Sequence, residues 1–231
     1  MGLPALSGTI PEPLIIAEPL RIAHRGYRAG AVENTLEAFA AAIKHGADVL
    51  EVDVRKRRDG TLVAHHDRAD AADAPLLADV LALAAASPAQ LNLDLKASGI
   101  ERPLIALVRD AGLLGRVTCT GGNWAMLAGI HRAEPGIRAG LTMPRRIWPR
   151  ALQPLQRLWY AWRAPAILKQ YDAQVVSCHR RLVSRLLVHR LHAAGAEIWV
   201  WTVDRPSEIV RLRELAVDGI CSDDPASHGW A

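Results

Sequence analysis

The sequence has few cysteines, few lysines, a single phenylalanine and no long apolar run. Its three cysteines, Cys119, Cys178 and Cys221, form no CxxC pair, which argues against a disulfide framework or a structural zinc site and favours a reducing, cytoplasmic location. No segment approaches the roughly 20 apolar residues that span a bilayer. Residues 1–20 contain several prolines and no basic start, so a signal peptide is not expected, and Leu6 breaks the myristoylation pattern.

The overall composition is that of a folded domain. The chain has 231 residues, of which 50% are hydrophobic and 23% are charged, which excludes a disordered protein. Single-domain α/β barrels use about 200–250 residues. The net charge of +4 includes only four lysines, so arginine supplies most of the cations. Arginine suits phosphate oxygens, although a coding bias toward Arg and Ala explains its excess more simply at this stage.

Eight short apolar segments alternate with helical patterns or a long connection. These predicted strands cover residues 21–24, 48–54, 90–95, 116–120, 137–141, 173–177, 197–203 and 219–222. Repeated βα units form a parallel sheet, and eight of them predict a closed (β/α)8 TIM barrel. An open doubly wound sheet is the alternative, but no GxGxxG loop follows any strand. We predict one barrel domain over residues 21–231, preceded by an N-terminal extension at residues 1–20.

The helix after the first strand carries signals for both of its ends. Asn34 is predicted as the N-cap, because Glu37 lies three residues later and completes a capping box. His45 and Gly46 are typical of a helix C-terminus. The helix therefore occupies the connection between the first two strands.

A small β-hairpin is predicted after the second strand. Asp59 and Gly60 form a turn signal, and residues 61–66 supply a return strand. If the turn centres near Arg58 and Asp59, His66 is expected roughly opposite Glu51.

Three carboxylates occupy strand positions that a buried sheet normally gives to valine or isoleucine. Glu51 and Asp53 share one face of the second strand, and Asp94 lies late in the next parallel strand. Clustered buried carboxylates need positive charge nearby. A hard divalent cation, Mg²⁺ or Ca²⁺, is one solution, and an ion network with Arg25 and Lys96 is the other. The spacing favours neither.

Two histidines are expected at the same end of the barrel. His24 ends the first strand and His66 ends the return strand of the hairpin. Imidazole titrates near neutral pH, so two histidines beside three carboxylates suit acid/base catalysis. His65 is expected to point to the opposite face.

These residues resemble the signature of the glycerophosphodiester phosphodiesterase family. The matching N-terminal elements are His24-Arg25-Gly26, Glu33-Asn34-Thr35, Glu51-x-Asp53, Asp59-Gly60 and His66-Asp67. Near the C-terminus, Val200–Asp204 and Val217–Asp223 resemble two further strands of that family. The resemblance extends over roughly residues 21–225, and its N-terminal part is the more specific.

The resemblance implies a barrel enzyme that hydrolyses glycerophosphodiesters to an alcohol and glycerol 3-phosphate with a divalent cation. The cation is expected to be Mg²⁺ or Ca²⁺, with Mn²⁺ as a third option. By this comparison Glu51, Asp53 and Asp94 are the metal ligands, and His24 and His66 are the general base and general acid.

The same resemblance implies residues that contact the substrate. Arg25 and Lys96 are expected to hold the phosphate, and Trp201 to line the substrate pocket. Glu33 is expected to support the metal or to position His24. The expected partner is a small-molecule glycerophosphodiester, and no nucleic acid is expected.

Some positions depart from the family pattern and leave the substrate open. Asp94 stands where most members carry glutamate, as in the related sphingomyelinase D-like phospholipases. Residues 68–90 are too few for a common insertion, which predicts an open groove, and residues 118–122 replace a Ser-Ser-Phe segment. The alternative is a lysophospholipase D acting on lysolipids, and a non-catalytic phosphate-binding barrel is a third option.

One basic, tryptophan-rich segment stands apart. Residues 135–171 contain seven cations and no acidic side chain, so the rest of the chain is net negative. The interleaved aromatic residues are Trp148, Trp159, Tyr160 and Trp162. Such a segment suits peripheral membrane contact through residues 143–165. The spacing of Leu152, Leu155 and Trp159 favours instead an ordinary barrel helix whose apolar side chains face inward, and single-stranded nucleic acid has no other support.

Overall fold

A computed structural model describes residues 18–144 and 146–226, which form a closed barrel of eight parallel strands. The strands are β1 (Leu20–Ala23), β2 (Val49–Lys56), β3 (Leu62–Ala64), β4 (Gln90–Leu95), β5 (Val117–Gly121), β6 (Ile137–Met143), β7 (Val175–His179), β8 (Glu197–Trp201) and β9 (Gly219–Ser222). All except β3 belong to the barrel, and the parallel pairings of β1 with β2 and β9 close it. The predicted TIM barrel is confirmed.

Helices connect most of these strands and cover the outside of the barrel. They are α1 (Leu36–Lys44), α2 (Leu77–Ala85), α3 (Glu101–Asp110), α4 (Trp124–Ala133), α5 (Gln153–Tyr171), α6 (Arg185–His192) and α7 (Pro206–Glu214). A short 3-10 helix, Arg150–Leu152, leads into α5. The main core lies between the strands and these helices, where alternate strand residues such as Leu50 and Leu91 are buried. The other strand face points into the barrel, as the pleat requires.

The predicted hairpin is also confirmed. Strand β3 pairs antiparallel with β2, with Val54 opposite Ala64. Because β2 also pairs with β4, Glu51 lies beside Asn92 and Asp53 beside Asp94. Register alone therefore places carboxylates of neighbouring strands side by side.

The predicted N-cap of α1 is wrong by one residue. Thr35 is the N-cap, and its hydroxyl accepts a hydrogen bond from the Ala38 amide. Asn34 instead has a left-handed backbone, with φ of 56°, and binds Asp53 through its side chain. An asparagine that is engaged by a buried carboxylate cannot also cap the helix.

The predicted helix in the basic segment is confirmed, but its orientation is not. Leu152, Leu155 and Trp159 are exposed, with 44%, 58% and 45% of their surface accessible, whereas the spacing predicted an inward face. The buried face of α5 consists of Gln156, Tyr160, Ala161, Ala164, Ile167 and Leu168. The two alanines are fully buried, and such small side chains let a helix approach its neighbours closely, so the side that they occupy faces the barrel.

The predicted extension, residues 1–20, lies outside the described residues except for its last three, and Leu20 already belongs to β1.

All three cysteines are free and buried, and burial raises the pKa of the Cys178 thiol to about 12. Among the residues described, no helix combines the length and apolar composition needed to cross a membrane.

Gly26 is required where the chain leaves β1 and turns toward α1. Its φ is 87°, and an added Cβ would lie 2.7 Å from two atoms of Ala38. Gly60 has a similar φ of 92°, but no atom lies within 4 Å of the corresponding position. An added side chain would therefore cause both backbone strain and a steric clash at Gly26, but backbone strain alone at Gly60.

We predict that Gly26→Ala lowers the free energy of unfolding by roughly 2–5 kcal/mol, because positive-φ strain and overpacking add. The matched Gly60→Ala variant should lose only about 1–2 kcal/mol, from strain alone. Urea unfolding followed by circular dichroism measures both values. Equal losses in the two variants would contradict the packing role given to Gly26.

Candidate active site

A cavity of about 270 Å³ opens at the C-terminal ends of the barrel strands. Every barrel strand contributes at least one residue to its lining. The charged and imidazole side chains in that lining are His24, Arg25, Glu51, Asp53, His66, Asp94 and Lys96. The barrel therefore brings together the residues that the sequence singled out on separate strands, and it does so at the end where TIM barrels carry their chemistry.

The three predicted metal ligands form one compact acidic cluster. Each of Glu51, Asp53 and Asp94 offers a carboxylate oxygen, and these oxygens lie within 4.8 Å of one another. Glu51 and Asp53 are almost completely buried. Carboxylates so close together in a buried site repel one another, so the surrounding groups must compensate.

Two cations provide much of that compensation. Arg25 Nε lies 2.9 Å from one oxygen of Asp53, and Lys96 Nζ lies 3.0 Å from the other. Lys96 also contacts Asp94 at 2.5 Å. The side-chain amide of Asn34 donates a hydrogen bond to the Asp53 carboxylate at 3.0 Å, and the backbone amide of Asp53 donates one to the side-chain oxygen of Asn34 at 3.1 Å. Arg25 and Lys96, the two cations predicted to bind phosphate, therefore both contact the acidic cluster.

The carboxyl groups of Glu51 and Asp53 differ electrostatically. Burial raises the pKa of Glu51 well above its usual value, and the neighbouring Asp53 and Asp94 raise it further. Burial also raises the pKa of Asp53, but Lys96, Asn34 and Arg25 outweigh this effect and lower it overall. Lys96 and a hydrogen bond from the Arg25 backbone amide, 2.9 Å long, lower the pKa of Glu51 but do not outweigh its burial.

This donor set fits a hard divalent cation. Its ligands are carboxylate oxygens, which Mg²⁺, Ca²⁺ and Mn²⁺ prefer. When all three carboxyl groups are ionised, they outnumber Arg25 and Lys96 and leave one negative charge in excess. A cation held by Glu51, Asp53 and Asp94 would relieve that excess. The ion network predicted as the alternative is present, and it involves Asp53 and Asp94, two of the three carboxylates that could hold a metal ion.

His24 is oriented by an aspartate from the other end of the chain. Its Nδ1 lies 2.6 Å from Asp223 Oδ1, and Arg28 donates to the same oxygen at 2.7 Å. Burial raises the pKa of Asp223, but the hydrogen bonds from His24 and Arg28 lower it overall, so the group is a carboxylate at neutral pH. A carboxylate only accepts hydrogen bonds, so Nδ1 of His24 carries the proton and Nε2 is left for chemistry.

His66 has the same arrangement with a closer neighbour in sequence. Its Nδ1 lies 2.7 Å from Asp67 Oδ1. The adjacent His65 turns into its own loop, where its Nδ1 accepts hydrogen bonds from the amides of Asp67 and Arg68. His66 lines the cavity and His65 does not.

Glu33 lies beside the cavity lining and contacts cations. Its carboxylate binds Arg25 at 2.7 Å and Arg28 at 2.9 Å. Arg25 has a left-handed backbone, with φ of 59°, which is costly for a non-glycine residue. Burial lowers the pKa of Arg25, but Asp53, Glu33 and Glu51 raise it overall, so the guanidinium stays charged. Glu33 therefore fixes Arg25 against the cluster.

The far wall of the cavity offers uncommitted polar groups. Among the described residues, the buried Trp201 Nε1 and Thr142 Oγ1 have no hydrogen-bond partner, and both side chains line the cavity. The ring of His179 packs edge-on against Trp201, with centroids 5.0 Å apart. Buried polar groups are normally satisfied, so these two are suited to bind a ligand.

Several site residues were missed by the sequence reasoning. Asp223 and Arg28 hold His24, and Asp204 accepts a hydrogen bond from the Asp223 amide at 2.8 Å. Asp223 and Asp204 were visible as polar residues after the last two predicted strands, which was the available signal. Only closure of the barrel shows that the Asp223 side chain meets His24.

The comparisons with known proteins agree with this geometry. A model of the glycerophosphoryl diester phosphodiesterase family matches residues 24–74 and 87–227. The glycerophosphodiester phosphodiesterase of Caldanaerobacter subterraneus subsp. tengcongensis is 26% identical over 243 residues, covering 89% of this chain and 94% of that protein. The corresponding protein of Bacillus altitudinis is 29% identical over 242 residues, with 88% and 94% coverage.

Solved structures match the same fold. The glycerophosphodiester phosphodiesterase of Agrobacterium tumefaciens has a TM-score of 0.74 at 22% identity and covers 91% of this chain and 98% of its own. An Oleispira antarctica phosphodiesterase, in complex with the product sn-glycerol-3-phosphate, has a TM-score of 0.71 at 23% identity, with 90% and 94% coverage. At sequence identities of 22% and 23%, this structural similarity establishes the barrel fold alone.

The charge asymmetry of the cluster predicts opposite effects for two conservative substitutions in the metal-free protein. Asp53→Asn should lower the free energy of unfolding by about 3–5 kcal/mol, because it removes the buried carboxylate that balances two partly buried cations. Glu51→Gln should raise it at neutral pH, because the amide removes a buried charge and its oxygen can still accept from Arg25. Urea unfolding in the presence of a chelator measures both changes.

The pH dependence follows from the same pKa shifts. The folded pKa of Glu51 is raised, so its stabilising contribution is present below its ordinary pKa of 4.5 and is lost as pH rises toward the folded value. The folded pKa of Asp53 is lowered, so its contribution is present above 3.8 and is lost as pH falls toward the folded value. Glu51→Gln should therefore flatten the decline of stability above pH 4.5. Similar destabilisation by both substitutions at neutral pH would refute this assignment.

Proposed function

The chain belongs to the glycerophosphoryl diester phosphodiesterase family, and from this premise we propose that it hydrolyses glycerophosphodiesters to an alcohol and glycerol 3-phosphate, as a metal-dependent phosphoric diester hydrolase. The observation that carries the proposal is the lining of one cavity. That lining contains two histidines, each bound to a carboxylate through Nδ1, beside an acidic cluster and two cations.

Arg25 and Lys96 are the residues proposed to bind the phosphodiester. Both pKa values are raised by neighbouring carboxylates despite the opposing effect of burial, so both groups are cationic at neutral pH. Fixed cations at a phosphoryl group stabilise the charge that builds on its oxygens in the transition state. The Trp201 indole N–H is proposed to donate to the same substrate.

His24 and His66 are proposed as the acid/base pair. One histidine accepts the proton of the attacking hydroxyl, and the other protonates the departing alkoxide, so the P–O bond to the alcohol breaks as the new one forms. The attacking group is water or the 2-hydroxyl of the substrate's glycerol. In the second case a cyclic phosphate forms first, and water then opens it to glycerol 3-phosphate.

Glu51, Asp53 and Asp94 are proposed to hold the divalent cation, for which Mg²⁺, Ca²⁺ and Mn²⁺ are the candidates. When bound, such an ion supplies additional positive charge for the phosphoryl oxygens. Asp53, which already contacts Arg25 and Lys96, would be one of the residues that hold the ion. We also propose a cytoplasmic location, which the three free thiols support.

A second candidate is a lysophospholipase D activity on lysolipids, with a role in lipid metabolism. Asp94 at the third acidic position, a partly exposed His66 and exposed apolar side chains within residues 143–165 support it. Release of choline from glycerophosphocholine in preference to lysophosphatidylcholine supports the first proposal, and the reverse order supports the second. No hydrolysis of either with any of the three cations would instead indicate a non-catalytic phosphate-binding barrel.

We predict that His24→Ala and His66→Ala each reduce kcat on the preferred substrate by about 10²–10⁴-fold, since each removes one proton transfer. His65→Asn is the matched control, because asparagine keeps a side-chain acceptor for the loop amides and His65 does not line the cavity. Steady-state rates with saturating cation provide the measurement. Wild-type turnover in either alanine variant would remove that histidine from the mechanism.

A further inference from the structure

One side of helix α5 presents large apolar side chains to solvent. Six side chains between residues 148 and 162 have 38–58% of their surface exposed, and they are half of the large hydrophobic residues exposed in the described chain. We call this surface the α5 face; it consists of Trp148, Leu152, Leu155, Leu158, Trp159 and Trp162. Contiguous apolar surface of this kind marks an interaction site more often than scattered residues do.

The α5 face is held in a fixed arrangement. Gln156, which is fully buried, donates to the Arg146 carbonyl at 2.7 Å and accepts from the Trp148 amide at 3.0 Å. These bonds hold the loop that carries Trp148 against the helix. The surface is therefore built before any partner binds, which lowers the entropic cost of binding.

All charged residues in the segment that carries this surface, residues 135–171, are cationic. Arg146, Arg150, Arg157 and Arg163 are exposed, and no acidic residue occurs between residues 135 and 171. Arg190 of α6 adds another cation, since its guanidinium lies 4.1 Å from the centre of the Trp162 ring. Arg190 thus places positive charge at the Trp162 end of the apolar surface, and the segment that carries the surface contributes further cations and no negative charge.

The α5 face begins at the same end of the barrel as the cavity. Its loop leaves the C-terminal end of β6, and Arg157 donates to the Arg181 carbonyl in the connection after β7. That connection also follows His179, whose ring packs on Trp201 of the cavity wall. A flat partner on the first turns of α5 would therefore lie next to the cavity mouth.

We propose that the α5 face binds to the surface of an anionic lipid bilayer. Arginine beside tryptophan and leucine suits the boundary between headgroups and acyl chains, and anionic lipids neutralise the bordering cations. A second copy of this chain is a poorer partner, because a two-fold interface through this face would bring arginines against arginines. Single-stranded nucleic acid accounts for the cations but not for three exposed leucines.

Docking would place the cavity mouth at the lipid surface. This consequence rests on the proposed phosphodiesterase function, whereas docking itself does not. Phosphodiesters that reside in a bilayer or micelle would then reach the site without first dissolving in water.

The test is co-sedimentation of the full chain with vesicles of phosphatidylcholine or of equimolar phosphatidylcholine and phosphatidylglycerol. We expect binding to the anionic vesicles, weakened by salt. Leu155→Gln/Leu158→Gln should bind at least about tenfold more weakly, because each leucine contributes apolar burial. The matched control is Leu114→Gln/Val210→Gln, which changes two exposed apolar residues outside the α5 face and should bind like the wild type.

A charge variant and an activity assay separate the other outcomes. Arg150→Gln/Arg163→Gln should lose the preference for anionic vesicles, and neither this variant nor the Leu155/Leu158 variant should alter hydrolysis of water-soluble glycerophosphocholine. Failure of the wild type to bind anionic vesicles at low salt overturns the proposal. Two other outcomes also overturn it, provided that vesicles do not bind. One is a concentration-dependent dimer that these variants abolish, and the other is oligonucleotide binding that they abolish. Vesicle binding without any hydrolysis would refute the proposed function and leave docking intact.

Discussion

Three carboxylates clustered at one end of a barrel, two of them buried, are the constraint on which the rest of this structure depends. Asp53 is stabilised by contacts to both of its oxygens, from Arg25 on one side and Lys96 on the other. Asn34 and Arg25 adopt left-handed backbone conformations in the turn that brings them to this aspartate. Such conformations persist where the surrounding structure compensates for them. The local strain and the ion network therefore belong to one arrangement.

The same cluster links stability to chemistry. Arg25 and Lys96 form ion pairs with Asp53, whereas burial, and then the neighbouring Asp53 and Asp94, raise the pKa of Glu51. A divalent cation held by Glu51, Asp53 and Asp94 would compensate these carboxylates and would leave more of the positive charge of Arg25 and Lys96 available to a phosphodiester. The stability that the site lacks without metal is, in this account, recovered when it binds its ligands. His24 stands next to Arg25, so one short segment places both a cation and an acid/base group.

Much of this was predictable from the sequence, for identifiable reasons. Alternation along residues 48–54 and 90–95 placed Glu51, Asp53 and Asp94 on inward faces, and the Asp59-Gly60 turn returned His66 to the same end. Two features needed the tertiary structure. Asp223 reaches His24 only because the last strand pairs with the first, 199 residues away in sequence. The orientation of α5 depended on which of its sides packs against the barrel, and an exposed apolar stripe has the same spacing as a buried one.

Diffraction from crystals soaked in Mn²⁺ tests the central claim most directly, since the ion gives an anomalous signal and binds oxygen ligands as Mg²⁺ does. The account predicts one strong anomalous peak in contact with Glu51, Asp53 and Asp94, and loss of that peak in the Glu51→Gln variant. It would be contradicted by crystals without a peak in which Lys96 still bridges Asp53 and Asp94, or by a peak held elsewhere in the barrel.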